Sequence, residues 1–226
     1  MQYSTWFNLY GMGSPDGLRE RKKRRTHATI SETAITLFLE RGYDQVSVAE
    51  IAAAAEVSKR TLFAYFPSKD DLVLHRFADH EDEAARVVRQ RRPSEAPLDA
   101  LQQHLRSALK RHDPISGLCD DPAVVAFYRL VIHTPALNTA LLRYQARSED
   151  ALAAALHETT PADIPLAEQT ARLAACQILA AQRILAHTNQ AHIAAGQTAN
   201  AREPAALAEA NNAFDLLREG LTPYRA

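Results

Sequence analysis

The sequence predicts an all-α protein of about nine helices, and three observations carry that prediction. Ala, Leu, Arg, Glu and Gln, all good helix formers, fill long stretches of the chain. Glycine is scarce, with 7 in 226 residues. No run of Val, Ile, Thr and Tyr alternates with polar residues at the period of two that strands need. Apolar residues make up 46%, enough for a sizeable core, and the length suits one or two domains.

Taken in order, residues 1–16 read as a flexible tail. Tyr3, Trp6, Phe7 and Tyr10 show no helical spacing, and Gly11, Gly13, Ser14, Pro15 and Gly17 interrupt structure. Met12 is a second candidate start. A helix is expected from Leu18 to Arg41, because Ile30, Ala34, Leu37 and Phe38 recur on one face. Gly42 then stands where a left-handed terminal residue is wanted. Ser47-Val48-Ala49-Glu50 has the form of a capping box opening a short second helix, with Val48, Ile51, Ala52 and Ala55 inward. After Glu56-Val57, Ser58 caps a third helix whose inward positions are Leu62, Tyr65 and Phe66, and Pro67 ends it. Ser68 caps a fourth, running to Arg92 before Pro93. Further helices are expected over 97–112, 122–133, 135–159, 165–190 and 204–221. Asp121-Pro122 and Thr134-Pro135 each pair a cap with proline at the first helical position.

The near-neutral total charge hides an asymmetry. Residues 17–69 hold ten Lys/Arg against six Asp/Glu, and the remainder sixteen against twenty-one. A basic region beside an acidic one suggests a polyanionic partner for the first alone. Two short helices joined by a tight turn, the second polar outside, form a helix-turn-helix. Its second helix is the one that enters the major groove of double-stranded DNA. With Leu62 and Phe66 inward, Lys59, Arg60, Phe63 and Ala64 face the bases. Lys and Arg donate to guanine, and Ala64 or Phe63 meet a thymine methyl. Ser47, Ser58 and Thr61 sit at helix N-termini suited to phosphate, and Lys69 opens the next helix.

The run Ile30-x3-Ala34-x2-Leu37-Phe38-x3-Gly42-Tyr43, then Ser47-Val48-x2-Ile51-Ala52, then Val57-Ser58-Lys59-Arg60-Thr61-Leu62-Phe63-x-Tyr65-Phe66-Pro67-Ser68-Lys69-x2-Leu72 resembles the tetracycline-repressor family over about fifty residues. The resemblance implies a DNA-binding domain over 17–69 and an effector-binding and dimerisation domain over 70–226. By matching position, Lys59, Arg60 and Ala64 face bases, while Ser47, Thr61, Tyr65, Lys69 and Tyr43 contact phosphates. Two departures stand out. Glu56 occupies a turn position where the family commonly has Gly, and a non-Gly residue with positive φ costs roughly 1 kcal/mol. Phe63 stands where Tyr is common. The basic run Arg19, Arg21, Lys22, Lys23, Arg24 and Arg25 reads as an arm that reaches phosphate or the adjacent minor groove, with Arg24 and Arg25 as phosphate contacts.

The long helix before the last carries two apolar stripes. One is Ala167, Ala171, Ala174, Ile178, Ala181 and Leu185; the other is Leu166, Leu173, Ala180 and Ile184. The last helix carries Leu207, Ala210, Phe214, Leu217 and Leu221. A helix apolar on two sides buries both, one in its own domain and one against a twin. The expected homodimer interface is Ala174, Ile178, Ala181, Leu185, Leu207, Ala210, Phe214 and Leu217. His104, Phe127, Tyr128, His133, Tyr144, Cys176 and Arg183 are the candidate contacts for a small, mostly apolar effector.

Nucleophile-elbow, P-loop, dinucleotide and zinc signatures are absent, so neither an enzyme nor a cofactor or metal is expected. No stretch of eighteen apolar residues suggests a membrane partner. Cys119 and Cys176 lie outside any paired pattern, which fits a cytoplasmic protein with reduced thiols. The expectation is a repressor released from a palindromic operator by its effector. The helix from Ser68 to Arg92 would act as the lever between the two halves. The residues leave an activator, or a regulator without effector, equally open.

Overall fold

A computed structural model describes residues 18–220 apart from 79, 160, 162 and 163. The expected tail over 1–16 and Leu221 lie outside the described residues. Among them the regular elements are ten α-helices and one 3₁₀ turn: α1 Leu18–Arg41, α2 Val48–Ala54, α3 Lys59–Tyr65, α4 Asp71–Ala78, α5 Glu83–Gln90, α6 Pro97–Lys110, the 3₁₀ turn Pro114–Ser116, α7 Pro122–His133, α8 Pro135–Thr159, α9 Ala167–Ala194 and α10 Ala199–Gly220. The chain divides into two compact units. One takes in residues up to His75 together with Ala126–Ala140, and the other Arg76–Val125 and Leu141 onward.

Most boundaries follow from local chemistry. Gly42, at φ +86°, closes α1 with its N–H on the Phe38 carbonyl, 2.9 Å away. The Ser47–Glu50 capping box forms as written: the Glu50 N–H donates to the Ser47 hydroxyl (3.2 Å), and the Glu50 carboxylate accepts from the Ser47 N–H (2.8 Å). Pro122 and Pro135 open their helices as expected, and Asp121 accepts from the Ala123 N–H at 2.8 Å.

Two boundaries differ. The single helix expected over 68–92 is two, α4 and α5, separated by a turn around His80–Asp82. No glycine or proline marks the break. A tertiary tie occupies it, in which the Glu83 carboxylate meets His80 Nδ1 at 2.7 Å and His104 Nε2 at 3.0 Å. α5 then turns Ala85 and Val88 onto Leu98 and Leu101 of α6. Burial alone would raise the Glu83 carboxyl, but hydrogen bonds from His104 and His80, with their charge, hold it far below the usual carboxylate range. α10 begins at Ala199 rather than at Pro204, which lies inside it. The Ala199 N–H is taken by the Asp120 carboxylate (2.9 Å) and the Ala201 N–H by the Thr198 hydroxyl (3.3 Å). These two acceptors satisfy N-terminal donors, so proline does not have to open the helix.

The second unit has two adjoining cores. Val88, Leu98, Leu101, Leu152, Leu156, Ala174, Ile178 and Phe214 form one, contributed by α5, α6, α8, α9 and α10. Leu109, Leu118, Ile193, Ala206 and Ala210 form the other. This overturns the interface expected from periodicity. Ala174, Ile178, Ala210 and Phe214 have no surface left, and Leu217 is almost covered. Ala181, Leu185 and Leu207 pack half-buried against the same cores. Five of the eight residues assigned to a twin subunit are the chain's own interior, and the other three border it. The other apolar stripe is the exposed one, with Leu173 56%, Ile184 64% and Leu216 of α10 62% accessible. Periodicity reveals two stripes without saying which is covered; that depends on helices far away in sequence.

A loop is clamped onto α9 by polar groups. The Asn189 amide donates to the Ser116 carbonyl at 3.0 Å, and buried Arg202 donates to Asn189 at 3.2 Å and to Glu209. Gly117, at φ +73°, lies so close to α9 that a Cβ there would stand 2.1 Å from the Ala186 carbonyl oxygen.

Candidate nucleic-acid interface

Helix α3 is positioned by its apolar side. Leu62 and Phe66 are fully buried, and each such side chain contributes about 1.5–3 kcal/mol of burial. Phe66 is held by a cluster that sequence reasoning missed. The His27 ring of α1 stacks on Phe66 with centroids 4.2 Å apart, and its edge meets His75 at 4.8 Å and Tyr65 at 6.3 Å. Beneath them the Ser31 hydroxyl, wholly buried, donates to the Leu72 carbonyl at 2.9 Å. The signal was present: Ser31 and His27 share the face of Ile30, Ala34 and Phe38, where a polar residue must find a partner.

The opposite side of α3 faces outward. Lys59, Arg60 and Ala64 are exposed, and Phe63 keeps 47% of its surface. An apolar ring left that open beside two cations suits a groove that offers methyl groups and acceptors together. At the helix N-terminus the Ser58 hydroxyl accepts from the Thr61 N–H at 3.0 Å and lies 2.8 Å from the Thr61 hydroxyl. One of those two hydroxyl protons stays available to an anion. The Ser47 hydroxyl accepts from the Glu50 N–H in its capping box and turns its own proton to the Glu50 carboxylate. Glu50 stays ionised beside it: the Ser47 N–H, the Ser47 hydroxyl and Arg41 hold its carboxyl down at about 2.

The other five expected phosphate contacts, Tyr43, Lys69, Arg24, Arg25 and Tyr65, differ in their placement. Tyr43 is buried and its hydroxyl donates to the Asp70 carboxylate. Burial and that bond push the phenol well above its ordinary range. It is a wedge under the site rather than a hydroxyl offered to a ligand. Lys69 is partly buried: its ammonium donates to the Tyr43 carbonyl at 2.5 Å and sits 4.1 Å above the Tyr43 ring. Burial lowers its pKa, yet two of its three N–H donors remain for a phosphate. Arg24 and Arg25 are both exposed on α1 but, one residue apart, point about 100° from each other. Tyr65 is half-buried at the end of α3.

The effector candidates are divided between the two units. Phe127, Tyr128 and His133 fall in the first unit, and His104, Tyr144, Cys176 and Arg183 in the second. Phe127 is buried with its ring 5.9 Å from Tyr128. Tyr144 is buried beneath the Arg147 guanidinium, 4.4 Å from its ring, and Arg183 donates to Gln145 at 3.4 Å. His104 is occupied by Glu83. His133 and Cys176 are exposed, which removes them from any cavity enclosed by one chain; the Cys176 thiol lies 3.4 Å from Glu149. Both sit on helix faces whose neighbours periodicity could not identify. No described helix is long and apolar enough to cross a membrane.

Comparison with known proteins bears on this geometry. Residues 30–75, which run from the buried start of the α1 face to the cluster at His75, match the family described as "Bacterial regulatory proteins, tetR family". The chain is 36% identical over 136 residues to the HTH-type transcriptional regulator TcmR of Streptomyces glaucescens, covering 59% of this chain and 58% of that protein. It is 35% identical over 77 residues to the HTH-type transcriptional regulator YuxN of Bacillus subtilis, covering 34% and 26%. It therefore spans less than two thirds of the length of either relative. A TetR-family regulator of Streptomyces coelicolor shares the fold, with a TM-score of 0.54 at 19% identity, covering 91% of this chain and 99% of that one. A capped helix pair with a cationic outer face, the matched segment and the shared all-helical fold agree: over residues 30–75 the chain resembles the tetracycline-repressor family, a family of transcriptional regulators.

Proposed function

We propose that the chain is a cytoplasmic, homodimeric transcriptional repressor that sets α3 of each subunit into the major groove of a palindromic operator. A small, mostly apolar effector releases it. The observation that carries the reading is the division of α3: Leu62 and Phe66 buried, Lys59, Arg60, Phe63 and Ala64 exposed. Two copies related by a two-fold axis read half-sites about one helical turn, roughly 34–36 Å, apart. The twin covers the exposed stripe Leu173, Ile184 and Leu216, which is what a monomer in water leaves uncompensated. An effector acts by preferring a dimer whose two recognition helices are wrongly spaced for the operator. Its candidate contacts in the second unit are Tyr144 and Arg183; Phe127 and Tyr128 are those in the first.

The test is direct. A duplex selected from a random pool by the unmodified chain is titrated with the Lys59→Ala variant. A bidentate contact to guanine is worth about 1–3 kcal/mol, so affinity for that duplex falls by that amount and preference relaxes at one position per half-site. Binding of the selected duplex at unmodified affinity would sink the assignment of this face.

A further inference from the structure

The basic run before the first buried face is not an extended arm but the opening turns of α1. Arg21, Lys22, Lys23, Arg24 and Arg25 are helical and all exposed, and the first fully buried residue is Ile30. At 1.5 Å per residue, the exposed stretch from Arg21 to Arg25 projects roughly 7 Å beyond the half-buried residues 26–28. Its position is fixed by His27, whose ring rests on Phe66 and reaches Tyr65, at the C-terminal end of α3. The projecting turns therefore begin beside the recognition helix.

The five cations are not equivalent. With about 100° between successive residues, Lys23 and Arg24 lie within roughly 60° of His27, on the face that continues toward α3. Lys22 and Arg25 lie about 140–160° away, on the far side. A helix with its side chains is about 10–12 Å across, whereas the minor groove is about 6 Å wide. These turns therefore cannot thread that groove as an extended arm can; what they can reach is the phosphate backbone.

We infer that the first turns of α1 form a rigid helical clamp on the DNA backbone flanking the major-groove site, made by Lys23 and Arg24, while Lys22 and Arg25 face solvent. The clamp is sequence-independent and lengthens the footprint beyond what α3 covers. The inference rests on α3 being the DNA-reading helix, and its test separates the two.

Two double variants of the full chain remove the same charge, Lys23→Gln with Arg24→Gln, and Lys22→Gln with Arg25→Gln. Glutamine keeps good helix propensity, and circular dichroism checks that both fold. Each is titrated by fluorescence anisotropy against a 30-base-pair duplex of arbitrary sequence over a range of salt. Each phosphate contact contributes about 0.9 to the slope of log affinity against log salt, so the first variant loses about 1.8 per subunit and the second almost nothing. Equal losses in the two variants, or none in either, overturn the clamp while leaving Lys59-dependent operator binding standing. A loss in the first variant that vanishes when netropsin fills the minor groove overturns it as well, because it would place those side chains in the groove. An unmodified chain that binds no duplex refutes the α3 reading itself.

Discussion

Replacing Gly117 by alanine tests how closely the loop before α7 approaches α9. Gly117 has φ +73°, and an added Cβ would stand 2.1 Å from the Ala186 carbonyl oxygen and 2.8 Å from its carbon. Both atoms belong to backbone and cannot swing aside. The left-handed conformation costs an L-residue about 1–2 kcal/mol. Forcing the loop off α9 adds a packing term of about 1–3 kcal/mol. The displacement also strains the bond from Asn189 to the Ser116 carbonyl, on which the orientation of buried Arg202 depends. The expected loss is about 2–5 kcal/mol, and at about 2–4 °C per kcal/mol for a chain of this size it lowers Tm by roughly 4–20 °C. Gly196→Ala is the internal control. That residue lies in the same unit at φ +95°, with nothing within 4 Å of its added Cβ, so it carries conformational strain alone. Differential scanning calorimetry of both variants isolates the contact. Equal Tm losses for Gly117→Ala and Gly196→Ala would show that no close approach exists and that the strain of positive φ explains everything.

Glu56 supplies a prediction of opposite sign. Its φ of +55° puts it in the region glycine occupies without penalty, so Glu56→Gly stabilises the helix-turn-helix by about 1 kcal/mol, read by chemical denaturation; a destabilised variant would mean that the Glu56 side chain does something its exposed position does not suggest. Glu83 links stability to acid. Its folded carboxyl sits below the ordinary value of 4.5 because His104 and His80 bond it against the cost of burial. The unfolded chain therefore takes up the proton first. The stabilisation is complete above about pH 5 and fades as pH falls below 4.5 toward the folded value. Glu83→Gln lowers Tm near neutrality and flattens the decline from pH 5 to pH 3; a decline as steep as in the unmodified chain would contradict the His80–Glu83–His104 bridge.

What the sequence determined alone is whatever neighbours within a few residues decide. Caps such as Ser47, Ser58 and Asp121 satisfy N–H groups two or three positions on, so these helix starts were legible, as was the C-terminal Gly42. The two faces of α3 follow from 3.6-residue periodicity, and the strain at Glu56 was foreseen from the family resemblance, which implies a glycine at that turn. Tertiary structure decided the rest, since the deciding partners are remote in the chain. The break between α4 and α5 depends on His104, the start of α10 on Asp120, and the burial of Tyr43 on Asp70. Lys23 and Arg24 are distinguished from Lys22 and Arg25 only by where His27 meets Phe66. Most plainly, α9 carries two apolar stripes of similar quality, and only the helices folded against it settle which is core and which is left open. Periodicity measures how oily a face is, whereas burial depends on what covers it.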